Sequence, residues 1–233
     1  MKAVILAGGL GTRLLPYTFF VPKPMLPLGE KPILEHLIDW LKKYGIREFL
    51  LSVHYLSRVI EDYFGDGSNF NVKITYIKSP RPMGTAGQLK VVEPFLDETF
   101  LCVYGDSLFD FDINSTINLH KSSNALATMV LFKYSARLKY GFIDVKDGRV
   151  VAWREKPRIK GLINAGVYVF EPRFLEYIPK DEVYGMDSAF KKAFKNNEKI
   201  VSHIVKGEFI DIGDKRAYNI AYKKYLSKLG KIP

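Results

Sequence analysis

Gly8, Gly9 and Gly11 fall within four residues, and Arg13 and Lys23 follow them in a proline-punctuated stretch. That combination suits one chemistry, the holding of an anion. Glycines let successive backbone N–H groups converge on a phosphate with no Cβ in the way. Arg13 would add a charge-assisted hydrogen bond, and Lys23, stiffened between Pro22 and Pro24, would approach from the other wall. A glycine turn with two surface cations is the other reading, and spacing alone leaves both open. Two standard phosphate loops do not fit. No third glycine completes G-x-G-x-x-G, and Thr12-Arg13 stands where a Walker loop needs Lys-Ser/Thr.

Two carboxylates could serve the same chemistry. Asp106 follows the apolar run Phe100 to Tyr104 and Gly105, at a strand's carboxyl end, where open α/β sheets bind ligands. It suits Mg²⁺, and it equally suits a turn cap. Asp211 lies between Ile210 and Ile212, where an unpaired charge is costly. A metal or a buried ion pair would each remove that cost. His36, His54, His120 and His203 are scattered without metal-ligand spacing and receive no role.

The elements that must position these groups alternate between strand and helix. Strands are expected at Val4–Leu6, 48–53, 72–77, 100–104 and 125–132, and helices at 33–44, 59–64, 85–92 and 112–122. Gly45 closes the first helix. The alternation predicts an α/β fold, a Rossmann-like mixed, mostly parallel sheet with helices on both faces. Past residue 132 the texture changes. Asp147-Gly148 joins 141–145 to 150–154 as a hairpin, followed by a strand at 164–170, helices at 172–177 and 187–194, a strand at 200–205 and a terminal helix from Asp214 to Leu229. The reading is one domain over 1–233, its two halves meeting at about 132–133.

The composition sets bounds. A hydrophobic fraction of 47% with 26% charged residues suits a soluble globular enzyme. No apolar run approaches the ~18 residues of a membrane span, and the first apolar run is too short for a signal peptide. Cys102, the one cysteine, lies in an apolar run, so a buried thiol and a reducing cytoplasm are expected. The net charge is +10, and Asp187 to Lys231 carries eleven Lys/Arg against five Asp/Glu. Lysines 223, 224 and 228 alternate there with Ile220, Tyr222, Tyr225 and Leu226. This is the pattern of an amphipathic helix rather than a nucleic-acid patch. No membrane or nucleic-acid partner is expected.

Six blocks carry a family resemblance. Gly8 to Leu14 with Pro22-Lys23-Pro24-Met25-Leu26-Pro27 is similar to the N-terminal signature of the sugar-1-phosphate nucleotidylyltransferases. Met83 to Gly87, Tyr104-Gly105-Asp106, Tyr140-Gly141 with Glu155-Lys156-Pro157, Asn164 to Tyr168 and Ile210 to Gly213 resemble that family's later motifs, in its order. The resemblance runs from residue 2 to about 222. It implies that a sugar 1-phosphate attacks the α-phosphorus of a nucleoside triphosphate (NTP), giving an NDP-sugar and pyrophosphate, with Mg²⁺ as cofactor.

The same resemblance implies roles. Arg13, Lys23 and Asp106 would be catalytic, with Asp106 and Asp211 on the metal. Leu6, Ala7, Gly8, Gly9, Gly11, Thr12, Gly84 and Thr85 would bind the nucleotide. Gly141, Glu155, Lys156 and Asn164 would bind the sugar phosphate. Mannose- or heptose-1-phosphate guanylyltransferase is the reading favoured, with glucose-1-phosphate thymidylyl- or uridylyltransferase next. A non-catalytic nucleotide-sugar-binding subunit is the rival of another class. A homo-oligomer is compatible with all of these. Tyr184 to Phe190 departs from the family's Phe-Ser-x-Glu segment, and Asp214 replaces a frequent threonine while offering an N-cap. No hexapeptide repeat is present, so no fused left-handed β-helix is expected.

Overall fold

A computed structural model describes residues 1–228; Leu229, the end of the expected last helix, lies outside the described residues. The chain folds as β1 (Ala3–Leu6), β2 (Pro27–Leu28), β3 (Lys31–Pro32), α1 (Ile33–Lys43), β4 (Glu48–Val53), α2 (Ser57–Phe64), β5 (Lys73–Lys78), α3 (Gly84–Val92), β6 (Phe100–Tyr104), β7 (Ser107–Asp110) and α4 (Ile113–Ser123). There follow β8 (Ala127–Arg137), β9 (Phe142–Lys146), β10 (Arg149–Arg154), β11 (Arg158–Phe170), α5 (Met186–Lys195), β12 (Ile200–Ile204), β13 (Glu208–Asp211) and α6 (Lys215–Lys228).

Seven strands form one sheet in the order β12-β8-β11-β6-β1-β4-β5. β1 is parallel to β4 and β6, β4 to β5, and β12 to β8; β11 alone runs against its neighbours β6 and β8. The sheet is therefore mixed and mostly parallel, as expected. Side-chain alternation along β1 divides the core. Ala3 and Ile5 pack with Leu34, Leu37, Ile38 and Leu41 of α1 and with α2 and α4. Val4 and Leu6 pack with Ala86, Leu89 and Val92 of α3 and with α5. Each fully buried aliphatic side chain contributes about 1.5–3 kcal/mol. The 34/37/38/41 spacing is why α1 forms where it does. Among the described residues no helix is long and apolar enough to cross a membrane.

Several boundaries differ from the sequence reading. β8 and β11 run on past 132 and begin before 164, pairing Leu131–Arg137 with Arg158–Asn164. This extension leaves the core and stays largely exposed, so no burial periodicity marks it. β7 and β13 pair antiparallel as a short ribbon, Asp211 opposite Ser107. Asp147 and Gly148 both have positive φ, as a two-residue hairpin turn requires. Asp214 does cap α6, its Oδ1 accepting Ala217 N–H at 2.8 Å. The inward stripe of α6, however, is buried Ala221 with half-buried Tyr218 and Tyr225, while Ile220 and Tyr222 are exposed. The register is set by tertiary partners: Tyr218 Oη donates to Pro27 O, and Tyr225 packs edge-on against His36.

Candidate functional site

The register of β1 brings the site together. Leu6 lies opposite Tyr104 on β6 and Ser52 on β4, so the carboxyl ends of these strands finish level. The chain leaves β1 with Ala7 N–H on Ser52 O at 2.8 Å, and Gly105 N–H returns to Leu6 O at 3.0 Å. The glycine loop and Asp106 thus emerge side by side at the edge where such sheets bind ligands.

Gly11 has φ +64°, a conformation glycine adopts without strain, and its carbonyl accepts Thr18 Oγ1–H at 2.9 Å. Thr18 is buried, and its own carbonyl accepts from Tyr55 Oη at 2.8 Å. The loop from Gly9 is pinned from below and open above, with Gly9 and Leu10 exposed. Pro22 and Pro24 hold Lys23 in a one-turn 3-10 helix at 23–25. Its side chain is 9% exposed, and Nζ lies 2.5 Å from Asp106 Oδ2. Ser107 Oγ–H reaches the other oxygen, Asp106 Oδ1, at 3.3 Å.

Asp211 arrives from the neighbouring strand of the ribbon, and Ile212 N–H bonds Asp106 O at 3.3 Å. Partial burial first, then the charge of Asp106, raises the Asp211 carboxyl above its ordinary range, with Lys23 and Arg13 pulling the other way. The four charged groups therefore share one field. Two hard carboxylates in one field suit Mg²⁺, which keeps its waters and binds through few protein ligands. The Lys23 ammonium already stands against one of them as a cation. The donor set fits the ion. Among the described residues no group of three or more His, Cys, Asp or Glu could hold a metal.

Leu6, Ala7, Gly9, Lys23, Thr85 and Asp106 line one hollow of about 100 Å³, with Gln88 and Tyr104. Thr85 and Tyr104 also line a second, of about 370 Å³, with Asn164, Asp187 and Lys191. The two hollows share that wall. Asn164 is fixed by its neighbours: Oδ1 accepts Gly166 N–H at 3.0 Å, and Nδ2–H donates to Tyr168 Oη at 2.5 Å. Tyr168 Oη–H reaches Tyr104 Oη at 3.3 Å. Burial, then Tyr104, raises the Tyr168 hydroxyl far above its ordinary range, so it remains a neutral donor.

Other expected residues behave differently. Gly8 N–H points at the Gln88 carboxamide. Gly84 and Gly87 lie against the backbone of 182–184; an added Cβ would come within 2.6 Å of Tyr184 O and 2.8 Å of Glu182 O respectively. Their lack of side chains is explained by that packing. Thr85 Oγ1 accepts Met186 N–H at 2.8 Å and fixes the departing 184–190 segment there. Gly141, Glu155 and Lys156 cluster on the β9–β10 hairpin, outside both hollows and largely exposed. Lys156 precedes Pro157, which favours extended backbone, but its φ is +44°. Only three residues join β10 to β11, and Pro157 O must turn back to accept Leu138 N–H at 2.9 Å. The tight reversal overrides the local preference.

The sequence reading assigned no role to Gln88 or Tyr55, and it placed Tyr104 and Tyr168 in motif blocks without one. One signal was present. Gln88 is the chain's one glutamine and lies on the inward side of α3 among Ala86, Leu89 and Val92.

A family model described as nucleotidyl transferase matches residues 2–228. The UTP–glucose-1-phosphate uridylyltransferase of Synechocystis sp. is 34% identical over 98% of this chain and 64% of its own length. This chain spans about two thirds of the length of that protein and of several other curated relatives. The D-glycero-α-D-manno-heptose 1-phosphate guanylyltransferase of Campylobacter jejuni is 34% identical over 91% of this chain and 95% of its own. Among solved structures, HddC from Yersinia pseudotuberculosis superposes with a TM-score of 0.75 at 28% identity, covering 96% of this chain and 99% of that one. HddC has also been solved in complex with GMP-PN.

Proposed function

The chain belongs to the nucleotidyl transferase family, among its sugar-1-phosphate nucleotidylyltransferases, and on that premise we propose that it transfers a nucleotidyl group from an NTP to a sugar 1-phosphate. The observation that carries this reading is the Lys23–Asp106 contact at the mouth of the glycine loop, with Asp211 and Arg13 in the same field. A phosphate oxygen of the sugar attacks the α-phosphorus, the bond from that phosphorus to the bridging oxygen breaks, and its electron pair leaves with pyrophosphate. Two substrate anions a few ångströms apart repel by several kcal/mol, so cations must lie between them.

Positioning and charge do the catalytic work, and no protein nucleophile is needed. Arg13 and Lys23 neutralise the triphosphate and its leaving group. Leu6, Ala7, Gly9, Gly11 and Thr12 cradle the nucleotide from the loop, with Gly8, Gly84 and Thr85 as the adjoining wall. Asp106 and Asp211 would hold Mg²⁺, which supplies Lewis-acid charge at the phosphates. Asn164 and Glu155 receive sugar hydroxyls, Lys156 the sugar phosphate, and Gly141 the face of the ring. Residues to about 132 serve the nucleotide and those beyond it the sugar phosphate, within one domain.

For the substrates, we favour GTP with a mannose- or heptose-type 1-phosphate. The support is the guanylyltransferase matched over nearly the whole of both chains and the GMP-PN complex of HddC. The uridylyltransferase match favours a second reading, glucose 1-phosphate with UTP or dTTP. A matrix of nucleoside triphosphates against hexose and heptose 1-phosphates, read by Mg²⁺-dependent pyrophosphate release, tests both. Release from no pair would sink the enzymatic reading, and nucleotide-sugar binding without turnover would replace it by a regulatory subunit.

A further inference from the structure

We propose that Gln88 is a positioning residue, which sets the orientation of the nucleotide-binding loop by holding the peptide between Ala7 and Gly8. Gln88 is 8% exposed. Its Oε1 accepts Gly8 N–H at 2.8 Å, and its Nε2–H donates to Gly84 O at 3.3 Å. A backbone N–H can only donate and a carbonyl can only accept, so these two partners fix which way the amide faces. The backbone carbonyl of the same residue accepts Ser52 Oγ–H at 3.1 Å, and Ser52 is the residue of β4 that stands opposite Leu6. One side chain with its own backbone therefore joins the exit of β1, the neighbouring strand and the start of α3.

The polar choice calls for a reason beyond filling space. The other inward residues of α3 are apolar and wholly buried, and an apolar side chain at 88 would avoid the cost of desolvating an amide. Gly8 is matched to it, since a Cβ there would lie 2.8 Å from Oε1. Because the peptide is planar and trans, holding the Gly8 N–H also fixes the direction of the Ala7 carbonyl. Gln88 lines the same hollow as Gly9, Lys23 and Asp106. It acts on the nucleotide through Gly8 and touches none of the reacting atoms.

The inference rests on the reading that this loop receives an NTP, and the test separates the two. The nucleotide pair active with the wild type is used to measure kcat and both KM values for Gln88→Met, which keeps the length and loses both hydrogen bonds. Loss of one buried hydrogen bond predicts a rise of about tenfold in the KM for NTP. The KM for sugar 1-phosphate should stay within about twofold, and kcat should change less than the KM for NTP. The same variant should show a smaller NTP-induced rise in Tm than the wild type at the same NTP concentration. An unchanged KM for NTP with a lowered Tm, or an equal rise in both KM values, overturns the proposal. Gln88→Ala repeats the test should the methionine variant fail to fold, and failure of both assigns the side chain to the core and also overturns it. A wild type that binds NTP without turnover defeats the enzymatic reading alone, with Gln88 then judged by the Tm shift; one that does not bind NTP defeats both.

Discussion

Lys23 Nζ and Asp106 Oδ2 lie 2.5 Å apart, although the residues are 83 positions apart in sequence. The lysine side chain is 9% exposed and the aspartate 33%. Removing one partner strands the other charge at a cost of about 1–3 kcal/mol, since the site is only partly dry. Asp106→Asn and Lys23→Met should each lower Tm, and each should lower pyrophosphate release by about 100-fold or more. The double variant should regain part of the lost Tm and none of the activity. Recovery of turnover in the double variant would show that the pair is structural.

Asp211 gives a prediction whose sign follows from its environment. Its carboxyl is raised by burial and by Asp106, so the ionised form is disfavoured in the folded state. That penalty is present at neutral pH and fades as pH falls through the raised value. Asp211→Asn should therefore be at least as stable as the wild type at pH 7 without metal. Added Mg²⁺ should raise the wild-type Tm and leave the variant's unchanged. EDTA should abolish turnover in the wild type, and Mg²⁺ should restore it. An equal Mg²⁺ shift in both proteins would take Asp211 out of the metal site.

Tyr168→Phe removes a hydroxyl that accepts from Asn164 and donates to Tyr104. A half-buried Tyr104 and an exposed Asn164 each lose a bond, which costs about 0.5–1.5 kcal/mol per bond in stability. Because Asn164 would keep only its tie to Gly166 N–H while the glycine loop is untouched, the KM for sugar 1-phosphate should rise several-fold and that for NTP should hold. Steady-state kinetics with each substrate varied in turn decides it.

Gly11→Ala tests the loop's backbone. The residue would have to keep φ near +64° with its Cβ 2.9 Å from Thr18 Cγ2. Left-handed backbone costs a side-chain-bearing residue about 1–2 kcal/mol, so Tm should fall by several degrees in a thermal melt. The KM for NTP should rise as well, since Thr18 and the loop must shift together.

His203 predicts an acid limb to stability. Burial lowers its pKa, only partly offset by Asp112, and Nδ1 meets Thr116 Oγ1 at 2.8 Å. The folded state takes up a proton less readily than the unfolded one, so stability is intact above about pH 6.5 and falls as pH drops below it. His203→Gln should flatten that part of the Tm profile between pH 7 and 5. An unchanged slope would assign the acid limb to other groups.

Much of this was written along the chain. The 34/37/38/41 spacing, the apolar runs at 48–53 and 100–104 and the Asp147-Gly148 turn specified helices, strands and hairpin locally, because burial on one face leaves a period in the sequence. The motif charges Arg13, Lys23, Asp106 and Asp211 were legible through the family resemblance of the blocks that hold them, since their types and neighbours alone left turn and anion loop, cap and metal ligand open. What the chain could not show was which groups meet. The level ends of β1, β4 and β6 put Lys23 on Asp106, and the β7–β13 ribbon delivers Asp211 beside them. The ties from Gln88 to Gly8 and from Tyr168 to Asn164 are hydrogen bonds across 80 and four positions, set by packing. The long β8–β11 arm and the left-handed Lys156 escaped notice because exposed strands carry no burial period and a three-residue reversal outweighs local preference. Sequence encodes what each segment can bury; only the assembled sheet fixes distances between segments, and the proposed chemistry depends on those distances.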